Sequence, residues 1–219
     1  MATIQVPAGL QHLSGELTVP AHAQGLVVFA HGSGSSRFST RNQFVARVLE
    51  QRGLATLLID LLTPEEEALD SRTAHLRFDI PLLAHRLVDI VDWVQRQPQT
   101  RALRIGMFGA STGGGAALRA AAARPADVAA IVSRGGRPDL AGEALPNVVA
   151  PTLLIVGGDD TPVIAMNRDA MRRMRGQVSL EIVPGATHLF EEPGTLERVA
   201  DLAAGWFTTH LQRRNAMPC

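Results

Sequence analysis

The chain has 219 residues, of which 46% are hydrophobic, and this composition is typical of a soluble globular protein. All 21 basic residues are arginine and tyrosine is absent, which excludes a lysine phosphate loop, a lysine Schiff base and a tyrosine/lysine dehydrogenase centre. The one cysteine is the terminal Cys219, which excludes an internal disulfide, a thiolate zinc site and an iron–sulfur cluster. The 21 basic residues balance 21 acidic ones, which argues against nucleic acid or an anionic membrane as a partner.

The first predicted elements are Thr3–Val6 and Glu16–Val19, which precede any helix and predict a hairpin at a sheet edge. Apolar runs bounded by turn residues then alternate with segments of helical period, and one polar stretch, Thr63–Arg77, lies among them. In chain order the remaining predictions are strand Leu26–Ala30, helix Arg41–Gln51, strand Ala55–Asp60, helix Leu82–Gln97, strand Leu103–Phe108, helix Thr112–Arg124, strands Val128–Val132 and Thr152–Val156, helix Val163–Met174, strand Ser179–Val183 and helix Thr195–His210.

This alternation predicts an α/β fold, with a mostly parallel central sheet, helices on both faces and right-handed crossovers. The chain has no internal repeat and no linker-like composition, so we expect one domain over residues 1–219. Residues 1–8 have no basic region or long apolar run, and no segment approaches the roughly 18 apolar residues that a membrane span needs. We therefore expect a cytoplasmic protein.

The loop after the predicted strand Leu103–Phe108 has the sequence Gly109-Ala110-Ser111-Thr112-Gly113 and opens an alanine-rich helix. In this strand–turn–helix context, the G-x-S-x-G spacing is typical of a nucleophile elbow, whose small flanking residues allow a sharp turn that exposes the serine. Ser111 is therefore the candidate nucleophile. The alternative is a glycine-rich helix start that binds phosphate through Gly113–Gly115.

Two later loops supply a candidate acid and a candidate base. Asp159 and Asp160 follow one predicted strand, and His188 follows the next, so both loops lie at the same sheet edge as Ser111. The aspartates could instead cap the following helix, and His188 could be one of several surface histidines. The order serine, acid, histidine is the one that the elbow motif predicts, and it favours a catalytic triad.

The loop 31–36, His-Gly-Ser-Gly-Ser-Ser, follows the strand Leu26–Ala30 and admits two interpretations. It could begin a dinucleotide-binding turn, but the third glycine position holds Arg37. With a triad present, an oxyanion loop is the better interpretation, and the backbone N–H groups of Ser33 and Thr112 are the predicted donors. We expect His31 to brace this loop rather than to react.

The segments HGSGSS, GASTG, GGDDTPV and PGATH, in this order and at these strand ends, resemble the α/β-hydrolase superfamily. The small size and the absence of an inserted lid are similar to its dienelactone hydrolase-like branch, and the resemblance covers nearly the whole chain. It implies Ser111 as the nucleophile, His188 as the base and Asp160 as the acid, with Ser33 and Thr112 as oxyanion donors.

The choice of Asp160 over Asp159 follows from the family's usual spacing G-x-x-D-x-x-V, here Gly157 to Val163. Dienelactone hydrolases proper have a cysteine in the elbow where this chain has Ser111, so the resemblance implies a serine carboxylesterase. The expected partner is a small-molecule ester, and no cofactor or metal is expected. Thioester or amide hydrolysis on the same triad, a non-catalytic binding protein and a nucleotide-binding oxidoreductase are the alternatives.

Two further features shape the expected cleft. Only about 20 residues separate Val132 from Thr152, so we expect no lid domain and an open cleft, with the segment Leu61–Arg77 covering one side. Arg134 follows another strand, and we expect it to bind an anionic group of the substrate. The alternative is that Arg134 pairs with an acid in the loop Leu61–Asp70.

Overall fold

A computed structural model describes residues 2–212, so that Cys219 lies outside the described residues. Eight strands form one sheet, and their bounds agree with the predicted strands to within two residues, except that β2 begins five residues earlier than predicted. They are β1 (Ala2–Ala8), β2 (Gln11–Thr18), β3 (Leu26–Ala30), β4 (Ala55–Ile59), β5 (Ile105–Ala110), β6 (Val128–Arg134), β7 (Thr152–Gly157) and β8 (Val178–Val183).

The strand order is β1-β2-β4-β3-β5-β6-β7-β8. β1 and β2 form the predicted hairpin at one edge, with Ala8 opposite Gln11 and Ala2 opposite Leu17. β2 joins β4 in an antiparallel pair, and every pair from β4 to β8 is parallel. The six parallel strands therefore direct their following loops to one edge, where an α/β sheet carries its site.

Helices connect the strands and cover both faces. They are α1 (Thr40–Gln51), α2 (Pro64–Thr73), the 3₁₀ helix η1 (Leu76–Phe78), α3 (Ile80–Arg96), α4 (Thr112–Ala123), the 3₁₀ segment η2 (Pro138–Asn147), α5 (Thr161–Arg173) and α6 (Thr195–Leu211). No helix in residues 2–212 is long and apolar enough to span a bilayer. The mostly parallel α/β architecture is thus confirmed, while one domain over residues 1–219 stays a prediction.

The core has two layers, one on each face of the sheet. α3 and α4 pack on one face, where fully buried side chains such as Leu87 and Leu118 meet the strands. α1 and α6 pack on the other face around Phe29, Phe108 and Phe207. The strands β3, β4, β5 and β7 are buried along their whole length, which explains their continuous apolar sequences.

The polar stretch 63–77 is the main difference from the predicted elements, because most of it is helix α2. Thr63 accepts a hydrogen bond from the Glu66 N–H at 3.3 Å, and the Glu66 carboxylate accepts one from the Thr63 N–H at 2.9 Å. This capping box, with Pro64 in the first turn, fixes where the helix begins. η2 is a second unpredicted element, and it occupies the connection in which no lid was expected.

Candidate active site

Ser111 lies at the turn between β5 and α4 with φ 50° and ψ −120°, a backbone conformation that residues other than glycine rarely adopt. β5 and α4 approach each other so closely at this turn that only small residues fit between them. A Cβ on Gly109 would lie 2.5 Å from the Gly114 Cα, and one on Gly113 would lie 2.2 Å from the Ala30 carbonyl oxygen. The surrounding structure holds this strained turn, which costs about 1–3 kcal/mol, and so presents the serine at the sheet edge.

The structure brings the three predicted triad residues together from loops far apart in the chain. The His188 Nδ1 lies 2.6 Å from the Asp160 Oδ2, and the His188 Nε2 lies 3.4 Å from the Ser111 Oγ. Because a carboxylate only accepts, Nδ1 carries the ring proton and Nε2 presents its lone pair to the serine hydroxyl. This is the geometry of an activated serine, with a base and a group that orients the base.

The structure also separates the two aspartates. Asp159 is exposed, whereas the Asp160 side chain is 13% exposed and faces His188. Asp160 occupies the N-cap position of α5, but its side chain makes no capping hydrogen bond. The carboxylate that could have capped a helix is instead bound to the imidazole.

Two groups that were not predicted support the His188 loop. The Thr187 hydroxyl and N–H both donate to the Glu192 carboxylate, at 2.6 Å and 3.1 Å, and these bonds lower the pKa of Glu192. Gly135, with φ 50°, lies against His188, since a Cβ there would be 3.1 Å from the His188 carbonyl oxygen and 3.5 Å from the ring atoms Cε1 and Nδ1. The sequence signals were slight: a glycine pair after β6, and a glutamate four residues after the histidine.

The loop after β3, predicted to be an oxyanion loop, lies against Ser111. A Cβ on Gly32 would be 3.1 Å from the Ser111 Cβ, and the Ser33 N–H donates to the Thr112 Oγ1 at 2.9 Å. His31 braces this loop: its Nε2 accepts from the Leu61 N–H at 3.0 Å, which leaves Nδ1–H to donate to the Gly32 carbonyl at 3.0 Å. Burial lowers the pKa of His31, so the ring is neutral.

The segment after β4 forms a wall beside the oxyanion loop. A small pocket there is bounded by apolar side chains, Leu62 and Leu83, and by charged ones, Glu67 and Arg77. The Arg77 Nε–H donates to the buried Asp70 carboxylate at 2.5 Å. Burial alone would raise the pKa of Asp70, and the hydrogen bonds from Arg77 and from backbone N–H groups outweigh it and lower that pKa. The segment therefore covers one side of the site, as expected.

Arg134 ends β6 beside Ser111, and its carbonyl oxygen accepts the Ser111 N–H at 3.2 Å. The guanidinium is buried near the Phe190 ring, 5.9 Å from its centroid, and its Nε and Nη1 have no hydrogen-bond partner in the described part of the chain. Burial, followed by the like charge of Arg41, lowers the pKa of Arg134 to about 10. Arg134 therefore remains charged at neutral pH, and it forms no ion pair within residues 2–212.

The alternative that Arg134 pairs with an acid of the loop Leu61–Asp70 is not what the structure has, because Arg134 forms no ion pair with any described residue. Glu66 pairs with Arg86 and Asp70 pairs with Arg77.

Residues 2–212 also hold no group of three histidine, cysteine, aspartate or glutamate side chains arranged to bind a metal ion.

The parallel sheet, the strained serine at the end of β5, the acid after β7 and the histidine after β8 define the α/β-hydrolase fold. The chain belongs to the dienelactone hydrolase family, whose model matches residues 13–208. It is 62% identical to a dienelactone hydrolase from Anabaena variabilis, with a TM-score of 0.95 over 96% of this chain and 98% of that one.

Two further comparisons are informative. The chain is 60% identical over 208 residues to a Mycobacterium tuberculosis protein whose name assigns it, provisionally, a phosphoribosyl transferase activity. This match covers 95% of the chain, but the chain spans only 46% of that relative. Est1E from Butyrivibrio proteoclasticus shares the fold, with a TM-score of 0.81 at 15% identity, over 96% of this chain and 99% of that one.

Proposed function

We propose that this protein is a serine hydrolase that cleaves small carboxylic esters through an acyl-enzyme intermediate. The observation that carries the proposal is the line of contacts from Asp160 through His188 to Ser111 on a strained elbow. Membership of a hydrolase family supports it. The name of the mycobacterial relative describes a chain about twice as long, and the proposal does not depend on that name.

In the first half of the reaction, the Ser111 Oγ attacks the ester carbonyl carbon while the His188 Nε2 takes its proton. The carbonyl π electrons move to oxygen and form a tetrahedral oxyanion. When this intermediate collapses, the bond to the alkoxide oxygen breaks, and the protonated His188 gives its proton to the leaving alcohol. Asp160 stays ionised, holds the imidazole tautomer and stabilises its positive charge.

In the second half, His188 removes a proton from water, whose oxygen attacks the acyl-serine carbonyl. Collapse of this intermediate breaks the bond to the Ser111 Oγ, which regains its proton from His188, and a carboxylic acid leaves. Each oxyanion-hole donor contributes about 2.7–4 kcal/mol to such a reaction. We assign one of these donors to the Thr112 N–H, in the first turn of α4. The Ser33 N–H, predicted as the second donor, is bonded to the Thr112 Oγ1.

The surroundings of the triad support a small organic substrate. The pocket beside Ser33 and Thr112 has two apolar walls, and the loops at this edge carry exposed apolar side chains, Phe38, Phe78 and Leu189. The connection from β6 to β7 holds only η2, so the cleft is open. Thioester and amide substrates would use the same residues, and comparing their kcat/KM with that of esters ranks the three classes.

The test is turnover of short p-nitrophenyl esters by Ser111→Ala beside Ser35→Ala, a control serine on the oxyanion loop with no assigned role. We expect Ser111→Ala to lose about 10⁶-fold in kcat, as nucleophile removal does in serine hydrolases, and Ser35→Ala to keep its activity. If Ser111→Ala hydrolyses these esters like the natural protein, the proposal is wrong.

We also propose that Arg134 binds an anionic group of the substrate. A buried guanidinium with two unpartnered nitrogens lacks the counter-charge that buried cations ordinarily have, and a carboxylate would supply it. The side chain lies beside Phe190, two residues beyond the base. A bound carboxylate would therefore lie on the His188 side of the triad.

The test of this assignment compares Arg134→Gln with Arg119→Gln, a change on the exposed surface of α4, using neutral and carboxylate-bearing esters of equal size. We expect Arg134→Gln to lose about 10-fold or more in kcat/KM on the charged ester alone, the scale of one charge-assisted hydrogen bond. Equal losses on both esters would show that Arg134 does not recognise the anion.

A further inference from the structure

The two residues predicted as oxyanion donors are bonded to each other through the Thr112 side chain. The Ser33 N–H donates to the Thr112 Oγ1 at 2.9 Å, and Thr112 is only 3% exposed. The loop lies close to the nucleophile, since a Cβ on Gly32 would be 3.1 Å from the Ser111 Cβ. The Ser33 N–H that was predicted to donate to the oxyanion is thus already bonded to the threonine oxygen.

The Thr112 hydroxyl still has a proton to donate. A threonine hydroxyl has one donor and two acceptor lone pairs, and the Ser33 N–H occupies one lone pair. Thr112 is the first residue of α4, so no preceding helical turn offers a carbonyl to take the proton. Within residues 2–212, no hydrogen bond donated by this hydroxyl is present. A buried donor therefore stands free beside the reacting serine.

We propose that the Thr112 hydroxyl is itself a donor of the oxyanion hole, acting beside the Thr112 N–H. The inference rests on the proposed function. The Ser33 N–H acts through this hydroxyl: by donating to the Thr112 Oγ1 it orients the O–H bond and polarises it, which strengthens the bond that the hydroxyl donates. No proton is transferred, since the hydroxyl only donates a hydrogen bond to the oxyanion in both tetrahedral intermediates.

If the Thr112 oxygen only tethers the loop, removing the hydroxyl should have the opposite effect on kcat. If the Thr112 oxygen only held the loop in the empty site, the Ser33 N–H would have to leave it to reach the oxyanion. Removing the hydroxyl would then release that N–H, and kcat would stay constant or rise. If the hydroxyl is a donor, its removal takes away transition-state stabilisation that a bound ester does not use, so kcat falls and KM does not.

The test measures kcat and KM for a short p-nitrophenyl ester with Thr112→Val, which keeps the shape, and Thr112→Ser, which keeps the hydroxyl. We expect Thr112→Val to lower kcat by about 10²–10³-fold, the effect of removing one oxyanion donor, with KM nearly constant. Thr112→Ser should retain most of the activity. The affinity for an alkylboronic acid, which forms a tetrahedral adduct on serine, should fall in Thr112→Val by a similar factor.

Thr152→Val is the matched control, because Thr152 is fully buried at the start of β7 and its hydroxyl donates to the Ala150 carbonyl at 2.9 Å. It should lower the melting temperature without changing kcat. The inference is overturned if Thr112→Val keeps the natural kcat, or if Thr112→Ser loses as much as Thr112→Val. A natural protein without ester turnover would overturn the proposed function, whereas an active protein with an unaffected Thr112→Val would overturn this inference alone.

Discussion

At the scale of single residues, Asp160 has a position in which two uses of a carboxylate compete. It precedes the first turn of α5, where aspartate is a favoured cap, yet its oxygen lies 2.6 Å from the His188 Nδ1 and makes no capping bond. Pro162 in the first turn lacks an N–H to be capped, which reduces the cost of this arrangement. The carboxylate is thus available to the imidazole.

Asp160→Asn should therefore remove activity and leave stability nearly unchanged. An amide can donate to Nδ1 and stabilise the wrong tautomer, so we expect kcat to fall by about 10⁴-fold. Urea unfolding should give a free energy close to that of the natural protein, since no cap is lost. Asp159→Asn is the control, because that side chain is exposed and should affect neither quantity. An active Asp160→Asn together with an inactive Asp159→Asn would reverse the assignment.

The sequence predicted the residue types at the site better than their contacts. Arg134 was predicted at the strand end, but its burial against Phe190 without an acid depends on which face of β6 it occupies and on what packs there. The bond from Ser33 to Thr112 joins positions 79 residues apart, so no local pattern contains it. Strand ends follow from local periodicity, whereas the contacts made there follow from packing.

At the scale of elements, His31 joins the ends of β3 and β4. Its Nε2 accepts a hydrogen bond from the Leu61 N–H and its Nδ1–H donates one to the Gly32 carbonyl. Only the neutral ring can make both hydrogen bonds. Protonation would place a second donor against the Leu61 N–H. Burial lowers the pKa of His31 from its ordinary 6.5 for the same physical reason that buried cations are unfavourable.

This shift makes stability depend on pH. As pH falls through about 6.5, His31 binds a proton in the unfolded state but stays neutral in the folded state. The free energy of unfolding therefore decreases by at most about 1.4 kcal/mol per pH unit for this group. His31→Gln can still accept from Leu61 and cannot titrate, so its stability should fall less steeply between pH 7 and pH 5. Urea unfolding across this range measures both slopes, and identical slopes would contradict the role assigned to His31.

The unpredicted helix α2 shows where periodicity gives no signal. Its sequence, PEEEALDSRT, has no apolar face, and Asp70 is its one buried residue. α2 is held by its capping box and by the ion pair of Glu66 with Arg86, which comes from α3. The threonine and the glutamate three residues later were a readable capping signal, but the ion pair required the fold. The buried strands, in contrast, were evident from their apolar runs.

At the scale of the whole molecule, one parallel sheet explains why residues of distant sequence meet. The loops after β3, β5, β7 and β8 bring Ser33, Ser111, Asp160 and His188, to which we assign the catalytic roles, to a common edge. The order of the motifs along the chain was therefore enough to predict that the side chains of Ser111, Asp160 and His188 meet. The helices pack on both faces of the sheet, and only the 3₁₀ segment η2 lies between β6 and β7.

The central claim is that Ser111 is a nucleophile activated by His188, and covalent labelling tests it most directly. The natural protein is incubated with a fluorophosphonate probe, digested and mapped by mass spectrometry. We predict one adduct, on the peptide with Ser111, and loss of that adduct in His188→Gln. An unlabelled Ser111 in a protein that is otherwise folded, or labelling that does not depend on His188, would contradict the account.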